Sequence, residues 1–189
     1  LLAAAFARAR RRVTLVDKPT VLRGAARLFR AAAARHARPG IEFELVNADA
    51  FVASLVRDPG RVDVIAATSF LADLVSDLLA GLAGGVGTVA SASLGDDIAV
   101  FEPVHGSAPR HAREVPARVN PEGAIRAAAM MLDHVGLRDR AGVIRGALAD
   151  VLSRTRTPDR GGDATTQEFG RAVARASAAA WRDSAIQKR

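Results

Sequence analysis

Val13–Leu22 reads VTLVDKPTVL. Its first four residues form a short β-branched run suited to a buried strand, and Asp17-Lys18-Pro19 ends that run with two charges and a fixed φ. Downstream, Val21–Ala37 has helical periodicity and is rich in alanine. Pro39-Gly40 breaks it, and Ile41–Val46 reads as a second strand. A helix is predicted from about Asp49 to Arg57, a turn at Asp58-Pro59-Gly60, a third strand over Val62–Ala66 and a helix over Phe70–Ala83, stopped by Gly84-Gly85. This strand–helix alternation predicts an α/β unit. Upstream, LLAAAFARARRR reads as the end of an amphipathic helix; its basic residues follow the apolar ones, the reverse of a secretory signal.

From Gly84 to Val119 the pattern changes to loops and short extended pieces. Three helical segments follow: Pro121–Val135, Asp139–Ser153 and about Thr165 to Trp181. Asn120 is a candidate cap with Pro121 at the first helical position. TRTPDRGGD, Thr155–Asp163, reads as a polar linker, and Asp183–Arg189 as a frayed tail. Gly84-Gly85-Val86-Gly87 is a helix stop rather than a dinucleotide fingerprint, because no strand leads directly into it. His36 and His134 fall in helical segments, as surface or capping residues.

The 189 residues are 49% hydrophobic, with no apolar run near the length of a membrane span. The absence of cysteine excludes disulfides and thiolate metal sites and is compatible with a cytoplasmic location. The net charge is +7, carried almost wholly by arginine. Those arginines are scattered over helix faces and tyrosine is absent, so nucleic-acid binding is not expected.

Three places carry chemistry. Asp73 and Asp77, four apart on one predicted helix, put two carboxylates on one face. Like charges at that spacing repel unless a hard cation such as Mg2+ or Mn2+ lies between them; a solvated acidic face is the plain alternative. Neighbours Phe70, Leu71, Leu74, Leu78 and Leu79 predict a largely buried helix whose narrow polar face lines a cleft. Asp17-Lys18 ends the first strand and Asp49 follows the second, where ligand groups gather in α/β sheets. A lysine there carries a proton or orients a carboxylate. The third place is FEPVHGSAPRH, Phe101–His111. Gly106, Ser107 and Ala108 permit close approach of backbone to a ligand, while Pro103 and Pro109 fix the path. Arg110 and His111 offer a site for phosphate.

Together these segments resemble the β-decarboxylating hydroxy-acid dehydrogenases: the isopropylmalate, isocitrate, homoisocitrate and tartrate dehydrogenases. VTLVDKPTVL resembles the strand with a catalytic lysine, here Lys18. DAFVASLVRDPGRVDVI (Asp49–Ile65) resembles the segment whose leading aspartate joins the catalytic metal site, and ADLVSD (Ala72–Asp77) the helix supplying two more metal ligands, Asp73 and Asp77. FEPVHGSAP and VNP (Val119–Pro121) resemble the cofactor's adenosine loop, acting through His105, Gly106, Ser107, Ala108 and Asn120. AAAMMLDHVG and GGDATTQEF complete the resemblance.

The resemblance implies an isopropylmalate-dehydrogenase-like α/β fold present as its C-terminal half. Residues 1–83 would belong to the central, dimerising domain with its metal site, and 84–182 to the cofactor domain. It implies Mg2+ or Mn2+, a nicotinamide cofactor, a hydroxy di- or tricarboxylate substrate and oxidative decarboxylation. It also implies a homodimer, in which Lys18 and Asp49 serve the partner subunit's site. Arg110-His111 stands where NAD-dependent members have Asp-Ile, which points to NADP, with NAD the alternative. Thr20 stands in place of an asparagine near the nicotinamide; Thr68, Ser69 and Ala72 also depart from the pattern. The family's substrate-gripping arginines and catalytic tyrosine lie in the half not represented here, so this chain alone is expected to have little activity. EPVHGSAP favours an isopropylmalate-like substrate. A non-catalytic remnant that dimerises or binds a partner is the second reading.

Overall fold

The computed structural model describes residues 1–187, with side chains up to Asp183. The chain divides into two compact units, Leu1–Leu82 and Ala83–Arg189. Among the described residues no helix is long and apolar enough to cross a membrane.

The first unit runs α1 (Leu2–Arg8), β1 (Arg12–Asp17), α2 (Arg23–His36), β2 (Glu42–Asn47), α3 (Ala48–Arg57), β3 (Val64–Ala67) and α4 (Ser69–Leu82). Its strands form a parallel sheet in the order β2-β1-β3. The central strand is buried from Val13 to Asp17 because helices cover both faces. Val13 and Leu15 pack with Phe6 of α1 and Ala33 of α2, while Val16 packs with Phe51 and Leu55 of α3 and Val75 of α4. This is strand alternation with an apolar layer on each side, so the run VTLV carries no solvent-facing position. Each fully buried Val or Leu contributes about 1.5–3 kcal/mol.

The entry into β1 is fixed by one carboxylate. Asp63, just before β3, accepts the backbone N–H groups of Arg10, Arg11 and Arg12 at 2.7, 2.7 and 3.1 Å. Those amides, Arg11's foremost, hold its carboxyl below the ordinary value. Arg12 also pairs with Glu42 at 2.6 Å across the β1–β2 edge.

The α4 expectation needs correction. Its neighbours do not bury it on all sides: Val75 and Ala80 are buried, but Phe70 and Leu74 are 71% and 52% exposed. Leu71, Leu78 and Leu79 complete the stripe packed against Phe51 and Leu55. The opposite face therefore presents Phe70 and Leu74 to solvent beside the exposed Asp73 and Asp77.

The second unit begins with a 3-10 turn at Val86–Thr88, entered through Gly84 and Gly85, both at φ +111°. An antiparallel hairpin follows, β4 (Ala90–Leu94) with β5 (Ala99–Pro103), then α5 (Glu122–His134), α6 (Arg138–Leu152) and α7 (Thr166–Gln187). Leu148 and Val151 of α6 and Phe169 and Val173 of α7 form its core, with Ile125 of α5 against it. Pro121 lies just outside α5 rather than at its first position; Asn120 Oδ1 accepts the N–H of Glu122 at 2.9 Å and caps from one residue further out. Thr165 and Glu168 form a reciprocal capping box on α7: Thr165 N–H to Glu168 Oε2 at 2.9 Å, Glu168 N–H to Thr165 Oγ1 at 3.1 Å. The last helix, α7, continues to Gln187, through the first five residues of the tail 183–189. Beyond Gly170 the run contains neither glycine nor proline to stop it, and the Arg140 guanidinium packs 5.5 Å over the Trp181 ring. Lys188 and Arg189 lie outside the described residues.

Gly123 sets the approach of α5 to the hairpin. A Cβ there would stand 2.9 Å from Val89 O and 3.0 Å from the Pro103 Cβ. Gly123→Ala should cost about 1–3 kcal/mol by overpacking, whereas Gly146→Ala, with nothing within 4 Å, should be neutral or stabilising by up to about 1 kcal/mol. Urea unfolding of both variants checks the pair. For Asp63 the folded pKa lies below the unfolded value of about 3.9, so its stabilisation is complete above that pH and is lost as pH falls through the folded value. Asp63→Asn should therefore destabilise the chain at neutral pH and progressively less below about pH 4; an identical loss at every pH would contradict this.

Candidate functional site

A parallel sheet places all its strand carboxyl ends on one edge. After β1 the chain leaves to α2 on one face of the sheet; after β2 it leaves to α3 on the other. The crevice between the ends of β1 and β2 is thus the point where the connections diverge, the usual ligand position in open α/β sheets. Four polar side chains meet there. Lys18 Nζ donates to Asp49 Oδ1 at 2.5 Å, and Thr20 Oγ1 donates to Asn47 Oδ1 at 2.9 Å. The Asp49 side chain is 70% exposed and that of Lys18 39%, so the pair stands at the surface of the crevice. The Lys18 ammonium, followed by the backbone N–H of Asp49 itself, holds the Asp49 carboxyl below its ordinary value.

Sequence reading did not single out two neighbours as site residues. Asn47 fixes the Thr20 hydroxyl. Asp17 is only 4% exposed, and its Oδ2 is buried without a hydrogen-bond partner among the described residues. The only signal for Asp17 was its place beside Lys18 at the strand end; Asn47 gave none.

Asp73 and Asp77 lie one turn apart on α4, both exposed. Their carboxylates are hard oxygen donors of the kind that Mg2+ or Mn2+ takes, usually with water and ligand oxygens completing the shell. Among the described residues no group of three or more His, Cys, Asp or Glu side chains is assembled for a metal, so Asp49 does not join the α4 pair within one chain. The α4 pair offers two such donors, fewer than a complete shell needs.

In the second unit, His105, Gly106, Ala108, His111 and Asn120 line one groove of about 570 Å3. Ser107 and Arg110, expected with them, do not line it. Ala108 has φ +43°, a left-handed conformation that costs a non-glycine residue about 1–2 kcal/mol. Asn120 is buried and engaged on both sides, its Nδ2 donating to Asp159 Oδ2 at 2.9 Å while its Oδ1 caps α5. Asp159 is held further by the fully buried Thr157, whose Oγ1 donates to Asp159 Oδ1 at 2.5 Å. His111 Nδ1 pairs with Glu114 Oε1 at 2.6 Å. The groove therefore contains two carboxylates, Glu114 and Asp159, that sequence reading did not find; Asp159 lay inside what read as a polar linker. His134 stays outside it, its ring 5.4 Å from Phe101, and His36 ends α2, exposed.

A family model described as isocitrate/isopropylmalate dehydrogenase matches residues 1–173, and the chain belongs to that family. It is 49% identical over 141 residues to an isocitrate/homoisocitrate dehydrogenase of Thermus thermophilus, covering 71% of this chain and 42% of the relative. It is 40% identical over 168 residues to a 3-isopropylmalate dehydrogenase of Archaeoglobus fulgidus, covering 87% and 51%. The crystal structure of an isocitrate dehydrogenase from Methylococcus capsulatus superposes with a TM-score of 0.85 at 37% identity, covering 93% of this chain and 54% of that one. The chain thus spans about half the length of the relatives it matches.

If the Lys18 ammonium is what holds the Asp49 carboxyl down, Lys18→Ala should move the Asp49 midpoint up toward about 3.9 in a carboxyl-detected NMR titration. An unmoved midpoint would mean that the helix amides suffice.

Proposed function

We propose that the chain is the C-terminal half of a metal-dependent dehydrogenase that oxidatively decarboxylates a 3-substituted malate, working as a cytoplasmic homodimer. The observation that carries the reading is the Lys18–Asp49 pair at the diverging edge of the sheet, in a chain of this family. Motif order supports the C-terminal assignment, since the lysine strand, the metal helix and the adenosine loop follow one another here as they do in the resemblance. The exposed apolar Phe70 and Leu74 beside Asp73 and Asp77 support a second copy covering α4. In that dimer Lys18 and Asp49 of one copy complete the site formed by Asp73 and Asp77 of the other.

The overall reaction removes a hydride and the hydroxyl proton at the carbinol carbon, releases carbon dioxide from the neighbouring carbon, and returns a proton to that carbon. When bound, the nicotinamide cofactor accepts the hydride and the divalent cation withdraws electron density from the new carbonyl oxygen. Lys18 holds a proton at Nζ, with Asp49 fixing its position, so it can exchange one with the substrate. Thr20, oriented by Asn47, keeps a hydroxyl in the same crevice as Lys18 and Asp49. His105, Gly106, Ala108 and Asn120 form the wall for the adenosine end.

Arg110-His111 supports NADP, because a guanidinium pairs with a 2′-phosphate and cannot accept from ribose hydroxyls. Glu114 and Asp159 in the groove favour the second reading, NAD, since carboxylates do accept those hydroxyls. The loop sequence favours an isopropylmalate-like substrate; the Thermus relative's name favours isocitrate or homoisocitrate.

With the complete protein, turnover should need Mg2+ or Mn2+ and stop on chelation. NADP should outperform NAD, and Arg110→Asp should lower that preference by about tenfold to a hundredfold. Equal or better use of NAD by the parent would overturn the NADP assignment alone; absence of metal-dependent turnover with any of the three substrates would overturn the function.

A further inference from the structure

Besides the groove of the adenosine loop, the second unit has a separate hollow of about 830 Å3 that receives Arg118, Arg154, Arg156 and Arg175. Two carboxylates, Asp163 and Glu168, also line it, which leaves a net excess of two positive charges. Glu168 is already committed: its Oε2 accepts from the Thr165 N–H at 2.9 Å and the Thr165 hydroxyl at 2.8 Å in the α7 capping box. Arg154 is held by Asp150 at 2.8 and 2.6 Å, and Arg118 donates to the Asp163 backbone carbonyl at 3.0 Å. The guanidiniums of Arg156 and Arg175 have no ion-pair or hydrogen-bond partner among the described residues. All four arginines are exposed, so water solvates the two unpaired guanidiniums and an anion that enters replaces that water.

The backbone under these arginines is fixed. Arg156 O accepts from the Ala164 N–H at 3.1 Å, closing the linker on itself, and a Cβ on Gly162 would stand 2.1 Å from that oxygen. Thr166 ties the Arg118 segment to α7, its N–H donating to Ala117 O at 2.9 Å and its hydroxyl to Val119 O at 2.6 Å. The guanidiniums thus hang from a preorganised frame, which lowers the cost of ordering them around a ligand.

We propose that this hollow binds a small polyanion carrying at least two phosphate or carboxylate groups, gripped by Arg156 and Arg175 with Arg118 beside them. Two oxyanion groups match the two free guanidinium forks. The hollow offers no aromatic ring on which a nucleobase could stack, so the ligand is not a nucleotide recognised by its base. The site is distinct from the cofactor groove, although Arg118 borders both.

The test is calorimetric titration of the 189-residue chain with pyrophosphate and, separately, with citrate, at low and at high salt. Saturable binding of at least one of them is expected. It should weaken with added salt and fall about tenfold or more in Arg156→Gln/Arg175→Gln. Arg110→Asp, in the other loop, should leave it unchanged, and the Lys/Lys version of the double variant should retain part of it. Pyrophosphate alone would identify a phosphate site; citrate alone, a carboxylate site. The proposal is overturned by absence of binding to either anion. It is equally overturned if binding survives the Gln/Gln change in a chain whose circular dichroism shows it folded, or is lost in Arg110→Asp, which would locate the anion at the Phe101–His111 loop instead.

Discussion

Burial of β1 on both faces is the constraint from which the first unit follows. A run of Val13, Leu15 and Val16, with only Thr14 among them, has no stable position at a surface, so it takes the centre of the sheet and demands a helical layer on each side. With β2 and β3 both parallel to it, the connections must leave to opposite faces, and the carboxyl edge opens between β1 and β2. Lys18 and Asp49 face each other because of that topology, although 31 positions separate them in the chain. Asp63 secures the other end of β1 by collecting three successive amides, so one carboxylate fixes where the strand begins and another helps set what its far end holds.

In the second unit, side-chain hydrogen bonds take the part that the sheet plays in the first. Asn120 bonds in two directions, to the first amide of α5 and to Asp159, and the buried Thr157 fixes Asp159 in turn. A linker rich in charge and glycine becomes a rigid frame. On one side it contributes to the wall of the groove lined by His105 and Asn120, and on the other it carries Arg156 into a separate basic hollow.

The parallel α/β character was legible because Val13–Val16 lacks alternation and because Pro39-Gly40 and Asp58-Pro59-Gly60 punctuate the helices. The α4 surface was not. Leucines and a phenylalanine at helical spacing state how apolar a helix is, not how many neighbours it has, and here the unit supplies packing for one stripe only. Lys18 and Asp49 could be named as strand-end residues, yet their contact depended on the strand order. Asp159 and Glu114 escaped notice because a carboxylate in a polar segment has no periodicity to mark it. Arg110, conspicuous in sequence, does not line the groove it was assigned to, while the adjacent His111 does and is paired with Glu114.

The central claim is that the acidic metal site is shared between two copies, the α4 pair from one and Asp49 from the other. Mn2+ binding followed by electron paramagnetic resonance tests it directly. Asp49→Asn and Asp73→Asn/Asp77→Asn chains should each bind Mn2+ poorly alone. Unfolded together and refolded as an equal mixture, they should regain roughly a quarter of the parent's sites, because half the dimers are mixed and each mixed dimer has one complete site. A mixture that binds no more than its separate components would contradict the account.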